Sequence, residues 1–124
     1  MMCFLTTTGD NNTTVGNRAL GTNTSGVSNT AVGAFALLNN NTDNFNTALG
    51  DFAGRNLIGG NNIDIGFGVE NVTGESDTIR IGSSGIAATF IGGISGATAA
   101  SGAALFVTSD GQLGTATFSA RFKD

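Results

Sequence analysis

The chain contains no proline, histidine, tryptophan or tyrosine, a single cysteine at Cys3, and only five Lys and Arg residues among 124. Each absence removes a class of function. Without histidine, and with one cysteine, a chain cannot by itself build a zinc site, a Ser-His-Asp triad, a Cys-His pair or an internal disulfide framework. Most familiar enzyme chemistry is therefore not expected, and neither is a metal or other cofactor. Five scattered cations against nine acidic residues give a net charge of −4. No basic stripe is left to neutralise phosphates, which disfavours nucleic acid and anionic membrane surfaces as partners. The start, Met1-Met2-Cys3-Phe4-Leu5, lacks a basic segment and an apolar run of about 7–15 residues, so it does not read as a secretory signal. Residues 85–107 carry no charge and are numerous enough to cross a bilayer. Gly, Ser and Thr break their apolar residues into short bursts such as Thr89-Phe90-Ile91 and Leu105-Phe106-Val107, the pattern of small packed strands. No membrane insertion is expected.

What is abundant is Gly (20), Thr (17) and Asn (14). Leu, Ile, Val and Phe together make up 31 residues, a quarter of the chain, above the level of about 20% at which chains stay disordered for want of burial. A folded chain with few large side chains follows.

An internal repeat organises the first two thirds. Gly16, Gly33, Gly50, Gly66 and Gly82 recur at spacings of 17, 17, 16 and 16, and an aliphatic residue precedes each: Val15, Val32, Leu49, Ile65 and Ile81. Two positions before these stand Thr13, Thr30, Thr47, Ile63 and Ile79, which predicts a period-2 strand of about four residues with this face inward. Three residues after the Gly come Ala19, Ala36, Ala53 and Val69, with Leu20 and Leu37 next, a second short apolar element before a polar turn rich in Asn, Asp and Gly. A block of strand, turn, strand, turn cannot bury its apolar face alone. Stacking blocks into a β-solenoid or β-roll aligns the Val/Leu/Ile residues and closes a core. Four residues before the Gly stand Asn12, Asn29, Asn46 and Asn62, then Thr78; in a stack they form an amide ladder that serves turn backbone groups. Phe35, Phe45, Phe52 and Phe67 offer more aromatic surface than thin coils enclose, so part of it is expected to face another copy of the chain.

After Gly82 the phase is lost. Residues 85–117 read as several short strands, with an apolar patch over 86–94. Asp110-Gly111 between apolar residues is a hairpin signal for which type I′ geometry is usual. The Ala/Gly/Ser run 96–104 reads either as a flexible linker or as a place where backbones approach closely around an axis.

Two chemical candidates compete with a purely structural reading. Gly59-Gly60-Asn61-Asn62-Ile63-Asp64-Ile65 approximates a calcium-binding nonapeptide, but Asn62 replaces its third Gly and no second copy stacks on it, so calcium is not expected. Asp43, Asp51, Asp64, Glu70, Glu75 and Asp77 contain potential carboxylate pairs for glycoside hydrolysis. They fall at turn phases where solvation explains them, and no Trp or Tyr is present to hold a sugar ring.

The phrases NTAVGAFALLNNNTDNFNTALG and NIDIGFGVENVTGESDTIRIG resemble the Asn/Gly-rich repeats in head regions of trimeric autotransporter adhesins and the repeat regions of bacterial and phage-type tail fibres. The stretch ATFIGGISGATAASGAALFVTSDGQLGTATFSARFKD is similar to the segment leading into the intramolecular chaperone of endosialidase-type fibres. Ser119-Ala120-Arg121-Phe122-Lys123 matches the opening of that chaperone. The resemblance spans essentially the whole chain and implies an obligate homotrimer, extracellular, on a cell surface or virion-borne. Its divisions are an Asn/Gly-rich roll over 1–82, a short-strand trimeric neck over 83–117 and a truncated chaperone-like start over 118–124. The family's self-cleaving Ser would match Ser119, but the rest of the chaperone is missing from this sequence, so Ser119 is not assigned as catalytic. The chain is then a fragment, a processed product or a shortened relative that assembles by itself. Cys3 is either an inert thiol or, near the end of a trimer axis, a cross-link between chains if oxidised.

The expectation is thus an all-β fold, a repeat β-roll followed by a short-strand triple-β region, assembled as a non-enzymatic homotrimeric fibre segment that acts as spacer or scaffold, with end-to-end filaments as a further form. Alternatives are an adhesive head that binds a host glycan or matrix protein through turns such as 39–46, and a carbohydrate-active fibre enzyme. Retention on glycans lost in Asn/Asp-to-Ala turn variants would single out the first; oligosaccharide release abolished by one carboxylate change would single out the second.

Overall fold

Each repeat closes one turn of a parallel β-solenoid of about four turns, and no helix occurs among the described residues. The computed structural model describes residues 8–70, 73–92, 102 and 104–115; Cys3, the chaperone-like end 118–124 and most of the Ala/Gly/Ser run 96–104 lie outside them. The chain forms two units, 1–88 and 89–124.

In the first unit, β1 (Thr13–Val15), β2 (Thr30–Val32), β3 (Thr47–Leu49), β4 (Ile63–Ile65) and β5 (Ile79–Ile81) pair in sequence order as one parallel sheet. The register follows the repeat: Val15, Val32, Leu49, Ile65 and Ile81 are successive partners, as are Thr13, Thr30, Thr47, Ile63 and Ile79. Three residues suffice for each strand because a sharp corner follows it. Gly33 and Gly50 adopt φ of 136° and 133°, values that only glycine takes without strain. A Cβ on Gly33 would lie 2.3 Å from the Gly50 carbonyl oxygen.

The strand faces are opposite to the sequence expectation. The middle residues Ala31, Ala48 and Asp64 are buried, whereas Val15, Leu49, Ile79 and Ile81 are 59%, 49%, 66% and 64% exposed. The aliphatic row predicted to close the core therefore lies on the outside of the roll. The reason is strand parity: Asn29 and Ala31 occupy the inner face, so Thr30 and Val32 between and after them must face out. The interior is narrow and takes alanine on the strand wall, packed with Ala19, Leu20, Ala36, Leu37, Ala53 and Leu57.

The second apolar element does supply that inner wall, but as turns rather than strands. Arg18, Leu20, Phe35, Leu37 and Phe52 lie in the left-handed region, with φ of 56°, 53°, 59°, 48° and 60°. Its backbone still bonds from coil to coil: Leu20 N–H donates to Ala36 O at 2.8 Å, Leu37 N–H to Ala53 O at 3.0 Å and Gly54 N–H to Val69 O at 3.1 Å.

In the second unit, β6 (Leu105–Val107) and β7 (Leu113–Thr115) form an antiparallel hairpin. Gly111 N–H donates to Thr108 O at 3.0 Å and Thr108 N–H to Gln112 O at 3.0 Å. Only Gly111 of the loop 109–111 has a positive φ, 81°. A type I′ turn needs two such residues; here a three-residue loop with a left-handed Gly at its end connects the strands instead. Of the short strands expected over 85–117, β6 and β7 form among the described residues, and none forms within 83–92.

Candidate functional site

Two arrays run along the roll, one inside and one outside, and both arise from the same period. Inside is an amide ladder. Asn12 Oδ1 accepts from the backbone N–H of Asn29 at 2.8 Å, Asn29 Oδ1 from that of Asn46 at 2.9 Å, Asn46 Oδ1 from that of Asn62 at 2.9 Å, and Asn62 Oδ1 from that of Thr78 at 3.1 Å. The same amides donate through Nδ2 to the carbonyls of Gly26, Asp43, Gly59 and Glu75 at 2.8, 2.9, 2.8 and 3.0 Å. These bonds run in one direction, from each coil to the next along the chain. Asn23 and Asn40, both buried, brace the turns: Asn23 receives Gly26 N–H at 2.9 Å, and Asn40 Oδ1 accepts from Asn46 Nδ2 at 3.1 Å. Sequence reasoning did not single out Asn23 and Asn40, although each stands six residues before a ladder Asn.

At the inward strand position, Asp64 and Arg80 follow Ala31 and Ala48 in register. Asp64 is buried, so its place among the solvated turn carboxylates is corrected: it lies mid-strand between Ile63 and Ile65, on the inner face. Arg80 forms a bidentate pair with Glu75, Nε to Oε2 at 3.0 Å and Nη2 to Oε1 at 2.6 Å. The hydrogen bonds to Glu75 hold the Arg80 guanidinium above its ordinary pKa, opposed by burial and assisted by the charges of Glu75 and Asp64. A raised value means that this contribution is complete below the ordinary guanidinium pKa and lost only as pH climbs through the folded one. Arg80 therefore adds no slope between about pH 6 and 9.

The outer array is the exposed face of the five-stranded sheet. One row runs Val15, Val32, Leu49, Ile65, Ile81 and the other Thr13, Thr30, Thr47, Ile63, Ile79. At about 4.8 Å between strands the face extends roughly 19 Å along the roll. It carries seven aliphatic side chains and no charge, and grows more apolar toward β5 as Thr gives way to Ile. A contiguous apolar face with polar turns around it marks an interaction surface more often than a solvated wall. The hairpin of the second unit has the same character, since Leu105, Phe106, Val107 and Leu113 are all exposed.

No family model matches this chain, and no curated protein or solved structure is detectably similar to it.

The aromatic residues divide between the two environments. Phe35 and Phe52 are half-buried and stacked, with centroids 4.9 Å apart and planes at 10°, and Phe67 meets Phe52 edge-on at 6.3 Å. Arg55 lies over the Phe52 ring with Cζ at 5.3 Å. Phe45 and Phe67 are exposed. In the turn 39–46, Asn40 and Asn46 are buried, Asn39 Nδ2 donates to Asn56 Oδ1 at 2.8 Å, Asn41 Oδ1 accepts from Thr22 Oγ1 at 2.6 Å, and Asn44 Oδ1 accepts from Val27 N–H at 2.7 Å. Asn46 and Asn44 thus reach neighbouring coils and Asn40 braces its own turn, while Asn39 and Asn41 make their bonds at the exposed surface. Within the calcium-like segment, Asn62 is engaged in the ladder and Asp64 points inward. Among the described residues no group of three or more His, Cys, Asp or Glu is arranged to hold a metal, and no helix is long and apolar enough to cross a membrane.

Proposed function

We propose that the chain is a non-catalytic structural segment of a fibre, extracellular, on a cell surface or virion-borne, in which three copies associate through the outer faces of their rolls and act as a spacer or scaffold. The observation that carries this reading is the uncharged face of seven aliphatic residues on a roll whose interior is already filled from within. A single chain leaves that face in water. Covering it gains roughly 1 kcal/mol for each half-exposed aliphatic side chain, offset by the entropy of association. The resemblance to trimeric adhesin heads and tail fibres supports three as the number of copies. The internal use of Asn40 and Asn46 in the turn 39–46 favours a spacer over an adhesive surface formed by the turns.

The test is the absolute mass by light scattering of the wild-type chain and of a Leu49→Lys/Ile65→Lys variant. Both positions face out, so the variant is expected to keep its β-sheet circular dichroism while its mass falls from three chains to one. A wild-type monomer, or a variant that stays associated, would overturn the assignment of this face.

A further inference from the structure

We propose that the fifth coil is a built-in stop, which closes the β5 end of the roll against the strand edge of a second copy and so limits growth along the solenoid axis. Three independent features change at this coil, and each one ends a pattern on which stacking depends.

The first is the amide ladder. Each coil is held by the Asn of the coil before it, through one N–H and one carbonyl. Thr78 receives the last of these bonds at 3.1 Å from Asn62, but its own hydroxyl turns back to Ser76 O at 3.1 Å within the same turn. No amide stands at this position to hold a sixth coil, whichever chain supplied it.

The second is charge at the inward strand position. A coil laid on β3 covers Ala48, whereas a coil laid on β5 would cover Arg80, paired with Glu75 and beside Asp64. Burying a guanidinium completely costs several kcal/mol unless further partners come with it, and the inward Thr14 of another copy's β1 brings no charge. Inward-pointing charge on an edge strand is a recognised guard against edge-to-edge pairing, and repeat stacks generally need such terminal caps.

The third is the corner. A Cβ on Gly33 or Gly50 would strike the corner Gly carbonyl of the next coil, but on Gly82 it would meet the Ile86 side chain of the same chain at 2.9 Å. Ile86 occupies the place where the next corner would sit.

The outer face does not share this change, since Ile79 and Ile81 continue both of its rows. Side-by-side association is thus left open while axial addition is blocked, and the stop does not depend on the trimer reading. The two also fail separately: loss of lateral association lowers the mass of a particle, whereas loss of the stop lengthens it.

The experiment removes all three features together, with the triple variant Thr78→Asn/Arg80→Ala/Ile86→Ala made in a full chain that also carries Asp64→Ala, so that the carboxylate beside Arg80 on β4 goes with it, and follows particle length by electron microscopy after incubation at high concentration. Wild type is expected to remain as short particles of constant length. The triple variant is expected to lengthen by roughly tenfold or more into unbranched filaments with the strand repeat of about 4.8 Å along the axis. Should that chain fail to fold, Asp64→Asn in place of Asp64→Ala keeps a hydrogen-bonding amide at the buried site, with the other three changes retained, and is measured in the same way. A folded variant that stays short, or wild-type chains that themselves form filaments with the axial strand repeat, would overturn the stop.

Discussion

Replacing Gly33 with alanine is expected to destabilise the roll by about 3–5 kcal/mol, a large share of the roughly 5–15 kcal/mol by which a domain is stable. Two costs combine at this corner. The φ of 136° belongs to a region that residues with a Cβ enter only under strain, at about 1–3 kcal/mol. The new Cβ would also sit 2.3 Å from the Gly50 carbonyl oxygen and 2.5 Å from its carbon. That carbonyl has little freedom to retreat, because Gly50 N–H is bonded to Val32 O at 2.8 Å and Phe52 N–H to Ala34 O at 2.8 Å. Gly68→Ala supplies the control. Gly68 has a φ of 59°, and a Cβ there meets nothing within 4 Å, so only the modest left-handed penalty of about 1 kcal/mol applies. Urea titrations of both variants check the order. Equal losses would show that backbone conformation alone, and not the coil-to-coil approach, makes the repeat glycine necessary.

The period of that glycine is the part of the fold most plainly written in the sequence. Five Gly at spacings of 16 and 17 set the coil length, and the register of all five strands follows from it. The direction of the strand faces is also present, but hydropathy masks it. An aliphatic residue at every repeat looks like core, and the rule that apolar residues go inside favours it. Yet the Asn four places before the Gly and the aliphatic one place before it differ by three, an odd number, so an extended strand cannot bury both. The amides win because each satisfies two backbone groups that a narrow interior would otherwise strand, whereas an aliphatic side chain left outside loses only its own burial. Asp64 follows from the same parity, since it stands where Ala31 and Ala48 stand and reads as a turn residue only because it is acidic. The left-handed turns at Phe35, Leu37 and Phe52 are not legible. Nothing in a Phe or Leu signals positive φ; the closed coil imposes it. The outer face becomes a candidate site only once the interior is seen to be full without it.

Removing the amide of Asn46 is the second change expected to have a large effect, and it tests whether the ladder or the aliphatic rows hold the coils together. Asn46 is fully buried; its Oδ1 accepts from Asn62 N–H, and its Nδ2 donates to Gly59 O and Asn40 Oδ1. Alanine there leaves an N–H and two oxygens without this partner in or near the interior, at about 1–3 kcal/mol for each group that stays unsatisfied. A total loss of about 3–5 kcal/mol is expected, against less than about 0.5 kcal/mol for Asn39→Ala, whose side-chain bond is exposed. Because coils in a stack contact mainly their neighbours, the damage should concentrate between β3 and β4, with the backbone amide of Asn62 losing protection in hydrogen exchange before those of β2. Asn46→Asp separates the two halves of the side-chain amide. The carboxylate can still accept from Asn62 N–H, but it faces Gly59 O with an acceptor where the wild type has a donor, and it is a charge without water. Burial and the opposed carbonyl raise its folded pKa above the unfolded value, so the folded state binds the proton more tightly and the variant gains stability as pH falls. Recovery of the Asn46→Asp variant on acidification, beside an Asn46→Ala variant that does not recover, would show that donation to the next coil's carbonyl is what the ladder contributes. Equal behaviour of the two would assign the stability to packing along the roll instead.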